Sequence, residues 1–97
     1  MSKENFIPLH KLCELYKVEM SFFSSLNEIG LIQITAIEES QYIHKDKIND
    51  VEKMIRMHHD LDINIEGIDI AFNLLQKIDE LENEIISIKN RLKIYEN

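Results

Sequence analysis

The sequence predicts a mainly α domain with one small β-hairpin and a long C-terminal helix. Three observations carry that reading. Apolar residues recur at helical spacing over most of the chain. Only one stretch, after Gly30, alternates with the period of a strand. From Ile65 onward proline is absent and Gly67 is the only glycine. With 97 residues, the chain has room for one compact domain.

Pro8 suits a first helical turn, where its missing N–H costs nothing. Leu9, Leu12, Cys13, Leu15 and Tyr16 then follow at helical spacing, predicting a helix over 8–17. Val18 and Met20 introduce a second helix carrying Phe22, Phe23, Leu26 and Ile29. Gly30 ends it, as glycine does just past the last periodic residue. Next, Ile32, Ile34 and Ala36 alternate with Gln33, Thr35 and Ile37. After Glu38-Glu39-Ser40 comes Gln41-Tyr42-Ile43-His44, so two short strands and a tight turn are expected. Ile48, Val51, Met54, Ile55 and His58 restore the helical period over 45–60. Asp60 to Asn64 is a connection, and Asn64 is a good N-cap for the last helix, with Glu66 favourable in its first turn.

The last helix, about 30 residues, runs roughly 45 Å at 1.5 Å per residue. Its back half carries a heptad pattern. Ala71, Ile78, Ile85 and Leu92 take one seam position; Leu74, Leu81, Ile88 and Tyr95 take the other. A sustained seam of this kind predicts a coiled coil and hence a homodimer. The alternative, packing on the chain's own domain, would require the preceding 65 or so residues to cover the whole helix, and a domain that small is marginal alone. The expected division is residues 1–63 for the domain and 64–97 for the arm. Flanking charges lean weakly toward a parallel pair and do not settle the orientation. A parallel pair matches Lys77 with Glu82, Glu84 with Lys89 and Arg91 with Glu96; an antiparallel pair matches Lys77 with Glu84 twice.

Composition excludes several functions. The net charge of −7 weighs against a general nucleic-acid binder, which needs cations to displace phosphate counterions. A single cysteine rules out an internal disulfide framework and a multi-thiolate zinc site. No apolar stretch is long enough for a membrane span. The N-terminus, Met1 to Asn5, has no signal-peptide pattern, so a cytoplasmic address is the default expectation. Enzymatic chemistry has little support: no Ser-His-Asp grouping has recognisable context and no Gly-rich phosphate loop occurs. His58 and His59 are adjacent, so on a helix they point about 100° apart and cannot share a metal; one is expected in the core and one in solvent. Cys13 lies on the apolar face of its helix and reads as an inert thiol. No cofactor is expected.

Helix, turn, helix, hairpin, helix, long helix is the layout of a winged helix-turn-helix with a coiled-coil arm, and the chain is similar to the MerR-type group. Leu12-Cys13-Glu14-Leu15 and Val18 match that group's first helix and turn. Phe23-Ser24-Ser25-Leu26-Asn27-Glu28-Ile29-Gly30-Leu31-Ile32 matches its second helix and its Leu-Arg-Tyr-Tyr-Glu-Arg-Leu-Gly-Leu-Leu run. The group's Arg and first Tyr fall on Ser24 and Ser25 here, and its second Tyr on Leu26. The wing has Glu38-Glu39-Ser40 where a DNA-binding wing is basic, and phosphate contacts need cations or suitable donors.

A narrower group fits that departure. Over its whole length the chain resembles the CbpM-like chaperone modulators. The resemblance runs through Gly30-Leu31-Ile32, Glu39-Ser40-Gln41-Tyr42-Ile43-His44, Ile55-Arg56-Met57-His58-His59-Asp60-Leu61 and Asn64-Ile65-Glu66-Gly67-Ile68. It implies a protein that binds and inhibits the J-domain of a DnaJ-like, CbpA-type co-chaperone, with no chemistry on either partner. It also implies a basic second helix on that J-domain. Asp60, Asp62, Glu66 and Asp69, expected to cluster at the junction of the last two helices, would complement it. Ile63, Ile65 and Ile68 are their apolar neighbours. Ile63 and Ile65 flank Asn64, and one of them is expected to be exposed for the partner. Glu38 and Glu39 on the hairpin form a second acidic candidate. A solvated charge run is the plain alternative for each acid. The competing function is a MerR-family DNA-binding transcription regulator, against which the missing basic helix and wing argue. A metal or ligand sensor would need Cys or His clustered around the arm, which has neither.

Overall fold

The computed structural model describes residues 3–96. Met1 and Ser2, part of the stretch read for a targeting signal, lie outside the described residues. So do Asn97 at the arm's end and the Glu96 side chain invoked against Arg91. After a 3₁₀ turn come β1 (Phe6–Pro8), α1 (Leu9–Tyr16), α2 (Met20–Glu28), β2 (Thr35–Ile37), β3 (Ser40–His44), α3 (Ile48–Leu61) and α4 (Ile65–Glu96). The architecture is the mainly α winged helix-turn-helix with a long C-terminal helix that the sequence predicts.

The sheet departs from the expected hairpin. It has three antiparallel strands in the order β1-β3-β2, with Ile7 opposite Ile43 and Thr35 opposite Tyr42. Phe6 sits edge-on to His44 across β1 and β3, ring centroids 5.2 Å apart. Pro8 is therefore not in a first helical turn. It ends an edge strand with φ −63° and ψ 132°, where a ring-fixed φ and a missing N–H are equally harmless. The 30s segment also differs. β2 starts only at Thr35; Thr35 and Ile37 are its half-buried positions and Ala36 faces out. Of the expected apolar face, Ile32 is buried and Ile34 packs on the core, while Ala36 is exposed, because residues 31–34 are irregular and not part of the strand. Ile34 N–H donates to Asn27 Oδ1 at 3.2 Å, tying that segment to α2. This resets the strand's facing, as a one-residue slip does.

Local signals decide the helix ends. Beyond α2, Gly30 adopts φ +82°. Leu31 N–H donates to Leu26 O at 3.0 Å and Gly30 N–H to Asn27 O at 3.1 Å. That pair of bonds is the Schellman stop. Asn64 caps α4 as expected, its Oδ1 accepting from Gly67 N–H at 2.8 Å. α3 begins at Ile48 rather than 45 because Lys45–Lys47 forms a 3₁₀ turn, capped by His44 Nδ1 accepting from Asp46 N–H at 3.1 Å.

The core gathers Leu9 and Leu12 of α1, Phe22, Phe23 and Leu26 of α2, Ile43 of β3, and Val51, Met54 and Ile55 of α3. Ile68 of α4 joins them at 0% exposure, and Phe72 packs against the cluster. Beyond Phe72 every described side chain of α4 is exposed. The helix thus leaves the body after two turns and projects as an arm. The radius of gyration is 17.7 Å, against about 12–13 Å for a compact chain of this length.

Candidate functional site

The α3–α4 junction is built around a sharp change of chain direction. α3 ends at Asp62, which takes the left-handed conformation with φ 54°, one that Asp tolerates better than most residues. Ile63 N–H then donates back to Met57 O at 3.0 Å. His58 lies flat on Phe22, ring centroids 4.7 Å apart, and its Nδ1 is 3.4 Å from Ile63 O. Both histidines are exposed by area, so the expected core histidine is instead a surface ring stacked on a core aromatic. Gly67 completes the junction. A Cβ there would meet Ile63 Cγ2 at 2.6 Å and Asn64 Oδ1 at 3.1 Å, so only glycine lets the Ile63 side chain lie across the first turn of α4.

This packing corrects the expected apolar part of the site. Ile63 and Ile65 are both half-buried and both pack on the core, and Ile68 is wholly inside it. None of the three is the exposed anchor that the sequence suggests. Residues two apart face opposite ways within a regular helix, but residues 62–64 interrupt the helix between α3 and α4. The turn at Asp62 and the cap at Asn64 instead bring both side chains to the same side.

The six acids occupy three places. Asp60, Asp62 and Glu66 are exposed at the junction. Asp69 is half-buried, accepts from Asn73 Nδ2 at 3.3 Å, and lines a trough in the crook between the arm and the body. Leu31, Met54, Phe72 and Leu75 form the trough's apolar floor, and its volume is about 740 Å³. Asp50, Asp79 and Glu82 share its edge with Asp69, and Lys53 is the single base among its lining residues. Sequence reading misses this trough because Asp50 and Lys53 on α3 approach α4 only through the fold. Glu38 and Glu39 lie at the tip of the β2–β3 hairpin. Both have positive φ, 54° and 78°, as the two central residues of a type I′ turn must. Glu39 lines a shallow hollow with His10 and Met20, on the side of α1 and α2.

The helix-turn-helix face is poor in cations. The turn is only Lys17-Val18-Glu19, and Val18 is buried. On α2, Ser24, Asn27 and Glu28 are exposed, Ser25 is half-buried and Leu26 is fully buried. The helix contains no Lys or Arg. At the position of the family's second Tyr this chain therefore has a core leucine with no reach to a ligand.

Among the described residues no group of three His, Cys, Asp or Glu could hold a metal, and no polar or charged side chain is buried. Desolvation by burial holds the Cys13 thiol above its usual pKa, with Glu14 adding to the shift. A thiol so raised is a poor nucleophile. Among the described residues no helix is long and apolar enough to cross a membrane.

The arm presents the complete seam. Leu74, Ile78, Leu81, Ile85, Ile88 and Leu92 are each 50–58% exposed, and Tyr95 is 86% exposed. Ala71, at the root, is half-buried. An apolar stripe of this length is more than a monomeric protein ordinarily leaves in water.

Comparison with known proteins adds a family and two relatives. A family model described as MerR HTH family regulatory protein matches residues 7–90. Chaperone modulatory protein CbpM of Pseudomonas entomophila (strain L48) is 21% identical over 87 residues, 89% of this chain and 86% of that protein. Chaperone modulatory protein CbpM of Pseudomonas putida (strain KT2440) is 24% identical over the same shares of each chain. No solved structure matches.

Proposed function

We propose that this chain, which belongs to the MerR helix-turn-helix family, is a chaperone modulator that binds and inhibits the J-domain of a DnaJ-like, CbpA-type co-chaperone in the cytoplasm. It acts as a homodimer joined through α4, by occupancy and without chemistry. The observation that carries the reading is the character of the helix-turn-helix face. α2 offers no Lys or Arg, and the wing tip offers Glu38 and Glu39, where binding to the phosphate backbone draws on cations. Likeness to two chaperone modulatory proteins along nearly the whole chain supports the same assignment.

The surface proposed for the co-chaperone is the acidic junction of Asp60, Asp62 and Glu66, with Glu38 and Glu39 as a second acidic face. Ile63 and Ile65 stand behind the first and fix its shape. Rim charges of this kind set mainly the association rate. The test is surface-capture kinetics with a purified CbpA-type J-domain at two salt concentrations, together with the ATPase stimulation that this J-domain elicits from its Hsp70. Wild type is expected to suppress that stimulation. Asp62→Lys with Glu66→Lys is expected to slow association severalfold and flatten its salt dependence. Circular dichroism checks that α4 survives, since Glu66 also favours its N-terminus. Unchanged kinetics in the variant would move the binding face elsewhere; no binding by wild type would remove the function.

Membership of a helix-turn-helix family of regulatory proteins keeps a DNA-binding regulator as the competing reading. Anisotropy titration against the protein's own upstream DNA decides it. Sequence-dependent binding below micromolar concentration at low salt would favour the regulator; salt-sensitive, sequence-blind or absent binding is expected.

A further inference from the structure

We propose that His58 is a proton-operated latch on the α3–α4 junction: the protonated ring fastens the turn at Ile63 to the face of Phe22, and the neutral ring holds it loosely. The inference is independent of the co-chaperone and of the homodimer. Three features of the ring's setting carry it: what it touches, where it sits on its helix, and which charges surround it.

The ring bridges two elements. One face lies on Phe22 of α2, with centroids 4.7 Å apart and planes 26° apart. Its Nδ1 lies 3.4 Å from Ile63 O, in the connection to α4. A carbonyl oxygen accepts and does not donate, so the bond exists while Nδ1 carries a hydrogen. Neutral imidazole has one ring hydrogen to share between two nitrogens, and imidazolium has one on each. Protonation therefore makes the donor permanent. It also makes the bond charge-assisted, which shortens such a bond and roughly doubles its strength, and a contact of 3.4 Å has room to shorten. The charge then lies over an aromatic face, within the roughly 6 Å range of a cation–π contact. His58 is also in the last turn of α3, where the unpaired carbonyls favour a cation.

The surrounding charges do not cancel these gains. Lys17 and Glu19 of the α1–α2 turn line the hollow beside His58 and oppose one another in sign. From α2 the lining residues are Ser21, Phe22 and Ser25, and from α4 Ile65, none of them charged. Asp62, immediately before Ile63 in the turn, adds a negative charge. His59 is the group that opposes a charged His58, its ring centroid 6.1 Å away and tilted by 54°.

What the latch controls follows from the shortness of the connection. Three residues, 62–64, separate α3 from α4, and the Ile63 side chain lies against Gly67 in the first turn of α4. Fastening Ile63 to Phe22 ties the root of the arm to α2. Releasing it leaves that root held by the Ile63 N–H bond to Met57 O and by apolar packing. The device changes the stiffness of the arm's root with pH and leaves the fold as it is.

The experiment follows amide hydrogen exchange in the full chain at about pH 8 and about pH 5.5, on either side of the histidine range. The reporters are Ile63, Gly67 and Ile68, whose N–H groups bond to Met57 O, Asn64 Oδ1 and Asn64 O. Protection, corrected for intrinsic exchange and taken relative to Ile43 in the sheet, is expected to rise about threefold or more at the lower pH. The sheet reference removes any global effect of pH on an acidic chain. His58→Phe keeps a ring on Phe22 without the donor and is expected to abolish the rise; His59→Gln is expected to keep it. Should His58→Phe disturb the junction, nitrogen NMR of the wild-type imidazole decides: the protection of Ile63 is expected to follow the titration of the His58 ring. A rise that survives His58→Phe in a folded junction overturns the proposal. So does a rise lost in His59→Gln, an Ile63 protection that does not track the His58 ring, or a wild-type protection that is unchanged or lower at the lower pH.

Discussion

The body and the arm are built from the same apolar side chains and treat them in opposite ways. In the body Leu9, Phe23, Leu26, Ile43, Val51 and Ile68 are at most marginally exposed, because three helices, the first turns of α4 and a sheet converge on one centre. In the arm the Leu and Ile seam stays about half exposed, because no second layer of the same chain covers it. A helix draws most of its stability from packing of its apolar face, and the arm has that face without the packing. The body's apolar residues are covered by its own fold, and the arm's seam is left uncovered by it.

Breaking the arm gives the largest effect. Burial of one such side chain is worth about 1.5–3 kcal/mol, so a two-fold pair loses roughly 6–12 kcal/mol when Ile78 and Ile85 are removed from both copies. Association costs on the order of 4–15 kcal/mol leave little to spare. Ile78→Asp with Ile85→Asp is therefore expected to give a monomer by light scattering, with the body's unfolding transition made independent of concentration. A double variant that remains a dimer would place the interface outside the seam.

The opposite perturbation belongs to the body. Phe23→Ala opens a cavity at a fully buried site and is expected to cost about 3–5 kcal/mol. Measured by urea unfolding, the loss is expected to appear in the body transition and to be equal in a seam-broken background. Coupling between the two changes would mean that body and arm share one cooperative unit.

Legibility in the sequence follows the same division. Features fixed by neighbours in the chain are readable: the Asn64 cap, the Gly30 stop, the heptads and the turn at Glu38-Glu39. Features fixed by distant segments are not. β1 has three residues and no alternation of its own, and becomes a strand only through Ile43 and its neighbours on β3. The facing of β2 depends on a bond from Ile34 to Asn27. The candidate site divides likewise. The sequence places Asp60, Asp62 and Glu66 together at a junction, since they are close in the chain. It cannot place Asp69 with Asp50, nor bring both Ile63 and Ile65 to the core, because those relations come from the packing of α3 on α4.

Where body and arm meet, Gly67→Ala tests how rigid the connection is. The added methyl meets Ile63 Cγ2, and overpacking of this kind costs about 1–3 kcal/mol. Helix propensity recovers a fraction of it, since Ala exceeds Gly by roughly 1 kcal/mol. A net loss in thermal stability is expected, with Ile63 displaced and J-domain association slowed. A gain in stability would mean that Ile63 yields freely and does not set the shape of the junction.

The smallest effect is expected at the wing tip. Glu38 and Glu39 both hold positive φ in a two-residue turn, where Asn-Gly is the preferred pair. Left-handed backbone costs a residue with a Cβ about 1–2 kcal/mol, and the added unfolded-chain entropy of a new glycine offsets part of the relief, so Glu38→Asn with Glu39→Gly is expected to stabilise the body by about 0.5–1 kcal/mol. For a domain of this size that is a rise in Tm of roughly 2–8 °C. The same change removes two carboxylates from the second proposed binding face. If the carboxylates are what the turn exists to present, stability and association with the J-domain move in opposite directions: Tm rises and the on-rate at low salt falls. If Tm rises while the on-rate is unchanged, the wing is only a turn, and the acids that matter are Asp60, Asp62 and Glu66 at the root of the arm.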